Sequence, residues 1–240
     1  GKTHAYLLPI LSQIDPSKTY VQALILVPTN ELVMQVERML KEVTEAFIVK
    51  TYYGGQNKMR EQEWLLKHQP QIVISTPQQI VDYVFVEKRL KIHTSSYVVF
   101  DEADMMFDEA FLSMLDQILP AIQQAKFMLF SATIHQTMEP FMKRYFGSYD
   151  LIDTTKKHDL PITYKLINIK YQSRMDALLE VLKHINPYLC FIFVSKKENQ
   201  DAVYNQLLEH GYSAININAS LGVKKRSKLI EDINNLKYQY

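Results

Sequence analysis

Short apolar, β-branched runs alternate along this chain with longer segments whose apolar residues recur every three to four positions. Residues 23–27, 72–75, 97–100 and 127–130 are the short runs. Their length, and the polar or turn-forming residues around them, predict strands buried on both faces. The intervening segments 4–14, 31–44, 58–68, 77–87 and 111–121 have helical period. Alternation of this kind predicts an α/β fold, a parallel sheet joined by crossover helices.

The pattern fails across residues 147–161, and the polar stretch 153–162 reads as a short linker. A first domain over 1–152 and a second over 163–240 follow. In the second, strands are expected at 164–171, 190–194 and 213–217, and helices at 175–185, 198–210 and 223–234, with Gly211 closing the middle helix. Three strands are few for a doubly wound domain. The chain also opens on Gly1-Lys2-Thr3 at a helix start with no strand before it. The expectation is two incomplete domains, a fragment cut at both ends.

Composition narrows the class without naming a function. The chain has 240 residues, 47% of them hydrophobic, enough for a packed core. No run nears the roughly 18 apolar residues of a spanning helix, and the start lacks a signal-peptide pattern. No membrane association and a cytoplasmic location are the expectation. The single Cys190, in an apolar run, excludes an internal disulfide and a paired-cysteine zinc site, and the seven His show no metal-ligand spacing. The formal charge of +1 is unevenly spread: 11 Lys and Arg against 7 Asp and Glu after residue 160, and 16 against 19 before it. Most of that later excess suits solvated helix surface. Trp64-Leu65-Leu66 and Met105-Met106-Phe107 read as helix packing.

The chemistry gathers around Asp101-Glu102-Ala103-Asp104, directly after the run 97–100. Two adjacent carboxylates at a strand's carboxyl end are where a doubly wound NTPase holds magnesium and its attacking water. The same charges would also suit the start of a helix. Gly1-Lys2-Thr3 has the letters that end a phosphate-binding loop, with Lys2 for the β and γ phosphates and the Thr3 hydroxyl for magnesium. Ser131-Ala132-Thr133 follows the run 127–130, where its hydroxyls can reach Asp104 or cap a helix.

Together these motifs resemble the DEAD-box RNA helicases of superfamily 2, and more narrowly their bacterial cold-shock-associated members. Gly1-Lys2-Thr3 is similar to the end of motif I, Asp101-Glu102-Ala103-Asp104 to motif II and Ser131-Ala132-Thr133 to motif III. Pro28-Thr29-Asn30-Glu31-Leu32 resembles motif Ia, Gly54-Gly55 the double-glycine motif and Thr76-Pro77 the start of motif Ib. Phe191-Ile192-Phe193-Val194-Ser195 resembles motif IV, and Arg226 falls where the family carries a basic residue on the RNA or interdomain side.

The resemblance implies two recA-like parallel-sheet domains of the P-loop NTPase type and an ATP-dependent RNA helicase using ATP and Mg2+. It places Gly1, Lys2 and Thr3 on the nucleotide, and Thr3 and Asp101 on magnesium, Asp101 through water. Lys2, Asp101 and Glu102 become catalytic, while Asp104, Ser131 and Thr133 couple hydrolysis to RNA. Pro28, Thr29, Gly54, Gly55, Thr76, Pro77 and Arg226 become contacts to the RNA backbone, independent of sequence. Ribosome-precursor or RNA-decay assemblies are the partners it suggests.

Departures matter too. Asn30 stands where the family usually has Arg, and Gln78-Gln79 where it usually has Gly-Arg, so weaker RNA binding by this domain is expected. The family's adenine-reading Gln motif would precede Gly1, and motifs V and VI with the arginine fingers would follow Tyr240, so little ATPase activity is expected of this stretch alone. Two other functions fit: a DNA-directed helicase of the same superfamily, and an RNA-binding clamp or assembly platform that uses ATP as a switch.

Overall fold

The structure, a computed structural model, describes the chain apart from residues 57, 107–108, 123, 135–137, 155–161, 171 and 219, and apart from the side chains at 58, 109, 223, 224 and 227. Phe107, Tyr171 and residues 155–161 of the expected linker therefore lie outside the described residues. The chain divides into two compact units, Gly1–Ile152 and Asp153–Tyr240.

In the first unit the helices are Lys2–Gln13 (α1), Asn30–Val43 (α2), Lys58–Lys67 (α3), Pro77–Val81 (α4), Glu109–Ile118 (α5) and Met138–Phe146 (α6). The strands are Ala23–Leu26 (β1), Val49–Tyr52 (β2), Ile72–Ser75 (β3), Tyr97–Phe100 (β4) and Lys126–Leu129 (β5). They form one parallel sheet in the order β2-β3-β1-β4-β5. Leu26 lies opposite both Ser75 and Phe100, Tyr52 opposite Ser75, and Leu129 opposite Phe100. All five strands thus end level, and whatever follows them emerges along one edge.

The apolar runs are continuous because both faces of the sheet are covered. With side chains alternating along each strand, Ala23, Ile25, Ile72, Ile74 and Val99 meet Tyr6, Leu7 and Ile10 of α1 and Val33, Val36 and Leu40 of α2. Leu24, Leu26, Val73, Val98 and Phe100 turn to the opposite face, with Leu115 and Ile118 of α5 and Met138 and Met142 of α6.

Two elements went unread in the sequence. The strand β2 is a half-buried edge whose Val49-Lys50-Thr51-Tyr52 lacks an apolar run; its Lys50 Nζ lies 2.9 Å from Glu61 and 4.4 Å from the Trp64 ring centroid. Helix α6 carries Pro140, which reads as a breaker but sits in the first turn, where its missing N–H has no helical acceptor to lose. The helix expected over 77–87 passes instead from α4 into a π-helical turn, Asp82–Val86. Of the residues read as helix packing, Leu65 and Met106 are buried, but Leu66 and Met105 are exposed.

The second unit has helices Arg174–Ile185 (α7), Lys197–Glu209 (α8) and Val223–Asn234 (α9). Ser173 caps α7 through its hydroxyl, and Gly211 follows α8 at φ +76°, a backbone state that favours glycine. The strands expected at 164–171, 190–194 and 213–217 are not formed among the described residues. Among the described residues, the backbone bonds of these segments are Cys190 N–H to Gln239 O, Gln239 and Tyr240 N–H to Ser213 O, and Ile215 N–H to Tyr240 O. Apolar β-branched content marks a segment for a strand, but a ladder needs a partner at each step. Among the described residues, 191–194 have no ladder partner; Phe191 and Phe193 are exposed, as are Tyr164 and Leu166. Cys190 is half-buried, and burial pushes its thiol pKa up, as befits a packing residue.

Candidate functional site

The sheet order divides the carboxyl edge in two. Residues following β4 and β5 carry the carboxylates and hydroxyls read as nucleotide chemistry. Those following β2, β3 and β1 carry Gly54-Gly55, Thr76-Pro77 and Pro28-Thr29, the RNA-contact candidates.

On the first half, Asp101 follows β4 and is only 5% exposed. Its Oδ1 accepts the Glu102 N–H at 3.0 Å and its Oδ2 accepts the Tyr6 hydroxyl at 2.9 Å. Burial holds the Asp101 carboxyl above its ordinary pKa; the two hydrogen bonds oppose this, and the Glu102 charge adds to it. Glu102 takes a left-handed backbone at φ +52°, strained for a side chain with a Cβ. Its carboxylate meets the Lys2 ammonium at 2.7 Å, with both side chains about one-third exposed. Lys2 and Thr3 begin α1, and Gly1 occupies the position before the helix.

Asp104 lies on the short 3-10 turn Ala103–Met105, well before α5 begins at Glu109. Its charge therefore does not serve a long helix start. Ser131 Oγ accepts the Asp104 N–H at 3.1 Å and donates to Thr133 O at 2.6 Å, while Thr133 Oγ1 donates to Asp104 Oδ2 at 2.8 Å. Burial pushes the Asp104 carboxyl upward, but the Thr133 and Ser131 bonds outweigh it and leave its pKa lowered. Ser131 and Thr133 tie the segment after β5 to the carboxylate turn.

The donor set fits magnesium. Among the described residues no three His, Cys, Asp or Glu group around a point. Two carboxylates and the Thr3 hydroxyl suit an ion that keeps several waters and shares phosphate oxygens. Asp101, with one acceptor site on each oxygen already engaged, can still receive a metal-bound water.

On the other half, Thr29 caps α2 by accepting the Leu32 N–H at 3.3 Å. Asn30 Oδ1 accepts the Gly54 N–H at 3.2 Å, joining two of the candidate segments. Gly55 has φ +88°, which requires glycine, and Gly54 and Gly55 are exposed. Thr76 stands at the start of α4 with Pro77 in its first turn. Of the two glutamines, Gln78 is exposed and donates to Asp82, whereas Gln79 is buried. Arg226 is in the second unit, partly buried, with its guanidinium donating to Leu221 O at 3.1 Å. Tyr6 and the Asn30–Gly54 bond were not read from the sequence. A tyrosine in an apolar helix reads as core, and an amide replacing a guanidinium reads only as a loss.

A five-stranded parallel sheet whose carboxyl edge bears these groups defines a recA-like α/β domain. A sequence model of the DEAD/DEAH box helicases matches residues 1–141, and the chain belongs to that family. Among curated relatives, the DEAD-box ATP-dependent RNA helicase CshB of Listeria monocytogenes is 34% identical and that of Bacillus subtilis 33%. Each alignment covers 100% of this chain and 56% of the relative, so the chain spans little more than half their length. The crystal structure of a DEAD box protein from the hyperthermophile Methanococcus jannaschii is 25% identical with a TM-score of 0.61, over 100% of this chain and 65% of that one. Saccharomyces cerevisiae Dbp5 bound to RNA and ADP BeF3 has a TM-score of 0.75 at 19% identity, over 100% and 61%, and supports the fold alone.

Proposed function

We propose that this chain is part of an ATP-dependent RNA helicase, with little activity on its own. In this reading Lys2 and the α1 amides hold the ATP phosphates, Thr3 and Asp101 hold hydrated Mg2+, and Glu102 orients the attacking water. Mg2+ supplies charge neutralisation of the phosphates; the protein residues supply position. Asp104, Ser131 and Thr133 link that centre to the end of β5. Pro28, Thr29, Gly54, Gly55, Thr76, Pro77 and Arg226 grip RNA by its backbone. Residues 1–152 are the ATP-binding recA-like domain, 153–162 the linker and 163–240 part of the second recA-like domain.

The observation that carries this reading is the Lys2–Glu102 contact beside buried Asp101 at the strand edge. The names of the bacterial relatives support RNA over DNA. A cytoplasmic site of action, on ribosome-precursor or RNA-decay assemblies, accompanies the proposal; no helix among the described residues is long and apolar enough to cross a membrane. The test uses the full-length protein. ATP hydrolysis should be stimulated by single-stranded RNA and not DNA, and short RNA duplexes should separate only with ATP. Equal stimulation by DNA would favour a DNA helicase, and remodelling that survives Glu102→Gln would favour an ATP-switched clamp.

A further inference from the structure

We propose that Tyr6 is a positioning residue that sets the affinity for the divalent cation accompanying the nucleotide, by holding Asp101 through one buried hydroxyl. This deepens the reading above and rests on it.

Tyr6 is 0% exposed, and its ring packs against Phe130 at a centroid distance of 5.2 Å. A buried phenol needs a partner for its hydroxyl. Here the hydroxyl donates to Asp101 Oδ2 at 2.9 Å. A residue assigned to the cation is thus held by one that is not. Donation by Tyr6, together with the Glu102 N–H on Oδ1, holds the Asp101 carboxylate in one rotamer and leaves one acceptor site on each oxygen for metal-bound water. A hydrated Mg2+ demands near-octahedral geometry, so misplacing Asp101 weakens it.

Phenylalanine at this position would keep the ring packing and remove only the hydrogen bond. The experiment is a Mg2+ titration of binding of a fluorescently labelled ADP to full-length protein, unmodified and Tyr6→Phe, with thermal unfolding alongside. The expected result is a rise of roughly three- to tenfold in the Mg2+ concentration for half-maximal binding, on the scale of one lost hydrogen bond. Binding in EDTA should be nearly unchanged, and the melting temperature should fall only by a few degrees, on the scale of one lost hydrogen bond. Restoring Tyr at position 6 should restore the Mg2+ dependence. An identical Mg2+ dependence in the two proteins overturns the inference while leaving the site intact. An equal loss of binding with and without Mg2+ also overturns it, because Tyr6 then acts through packing. Absence of Mg2+-dependent binding in the unmodified protein overturns both the inference and the nucleotide-site reading.

Discussion

The Lys2 ammonium lies 2.7 Å from Glu102 Oε2, so the residue read as the phosphate ligand and the residue read as the water-activating base are paired with each other. A nucleotide phosphate must separate them, because Lys2 cannot point both ways at full strength. Solvent reaches both side chains, which keeps the pair below about 1 kcal/mol. Glu102→Gln is therefore expected to bind a labelled ATP analogue up to about fivefold more tightly. Its single-turnover hydrolysis should fall by roughly a hundredfold or more, as loss of a general base implies. Unchanged hydrolysis would show that Glu102 is not the base.

Asp104 is held in its charged form by Thr133, which gives its contribution a pH signature. Its pKa is lowered on folding, so the stabilisation is present above the ordinary carboxylate range, near 3.9, and lost as pH falls through the lowered value. Asp104→Asn should melt below the unmodified protein at pH 7, and the gap should close towards pH 3. A gap independent of pH would assign the effect to packing.

Asn30 holds the Gly54 amide at the position where the family resemblance implies an arginine. Asn30→Arg is expected to add one phosphate contact and steepen the salt dependence of RNA binding by about one unit of slope. The measurement is affinity for a single-stranded RNA across a salt series. Gln78 is the better second site, since buried Gln79 has no room to present a guanidinium to solvent. No change in slope for Asn30→Arg with Gln78→Arg would remove these positions from the RNA path.

The core beneath the edge has its own test. Leu24 is fully buried at the centre of β1, between β3 and β4. Leu24→Ala should destabilise the first unit by about 2–5 kcal/mol, read by chemical denaturation. A loss below 1 kcal/mol would mean that this core collapses onto the cavity.

What the sequence determined by itself is local. Four of the five strands, nearly every helix and the letters of the carboxylate motif depend on periodicities and adjacencies within a few residues, and they are legible there. The strand β2 escaped because an edge strand is half polar. The strands expected in the second unit failed because pairing is not a property of the segment that pairs. Only tertiary structure decided which groups meet: Lys2 with Glu102 across 100 positions, Tyr6 with Asp101 across 95, and Asn30 with Gly54 across 24. Those encounters arise because the sheet is ordered β2-β3-β1-β4-β5 rather than in chain order. Parallel strands joined by crossovers bring their carboxyl ends to one edge, and the side chains on that edge are neighbours in space without being neighbours in sequence.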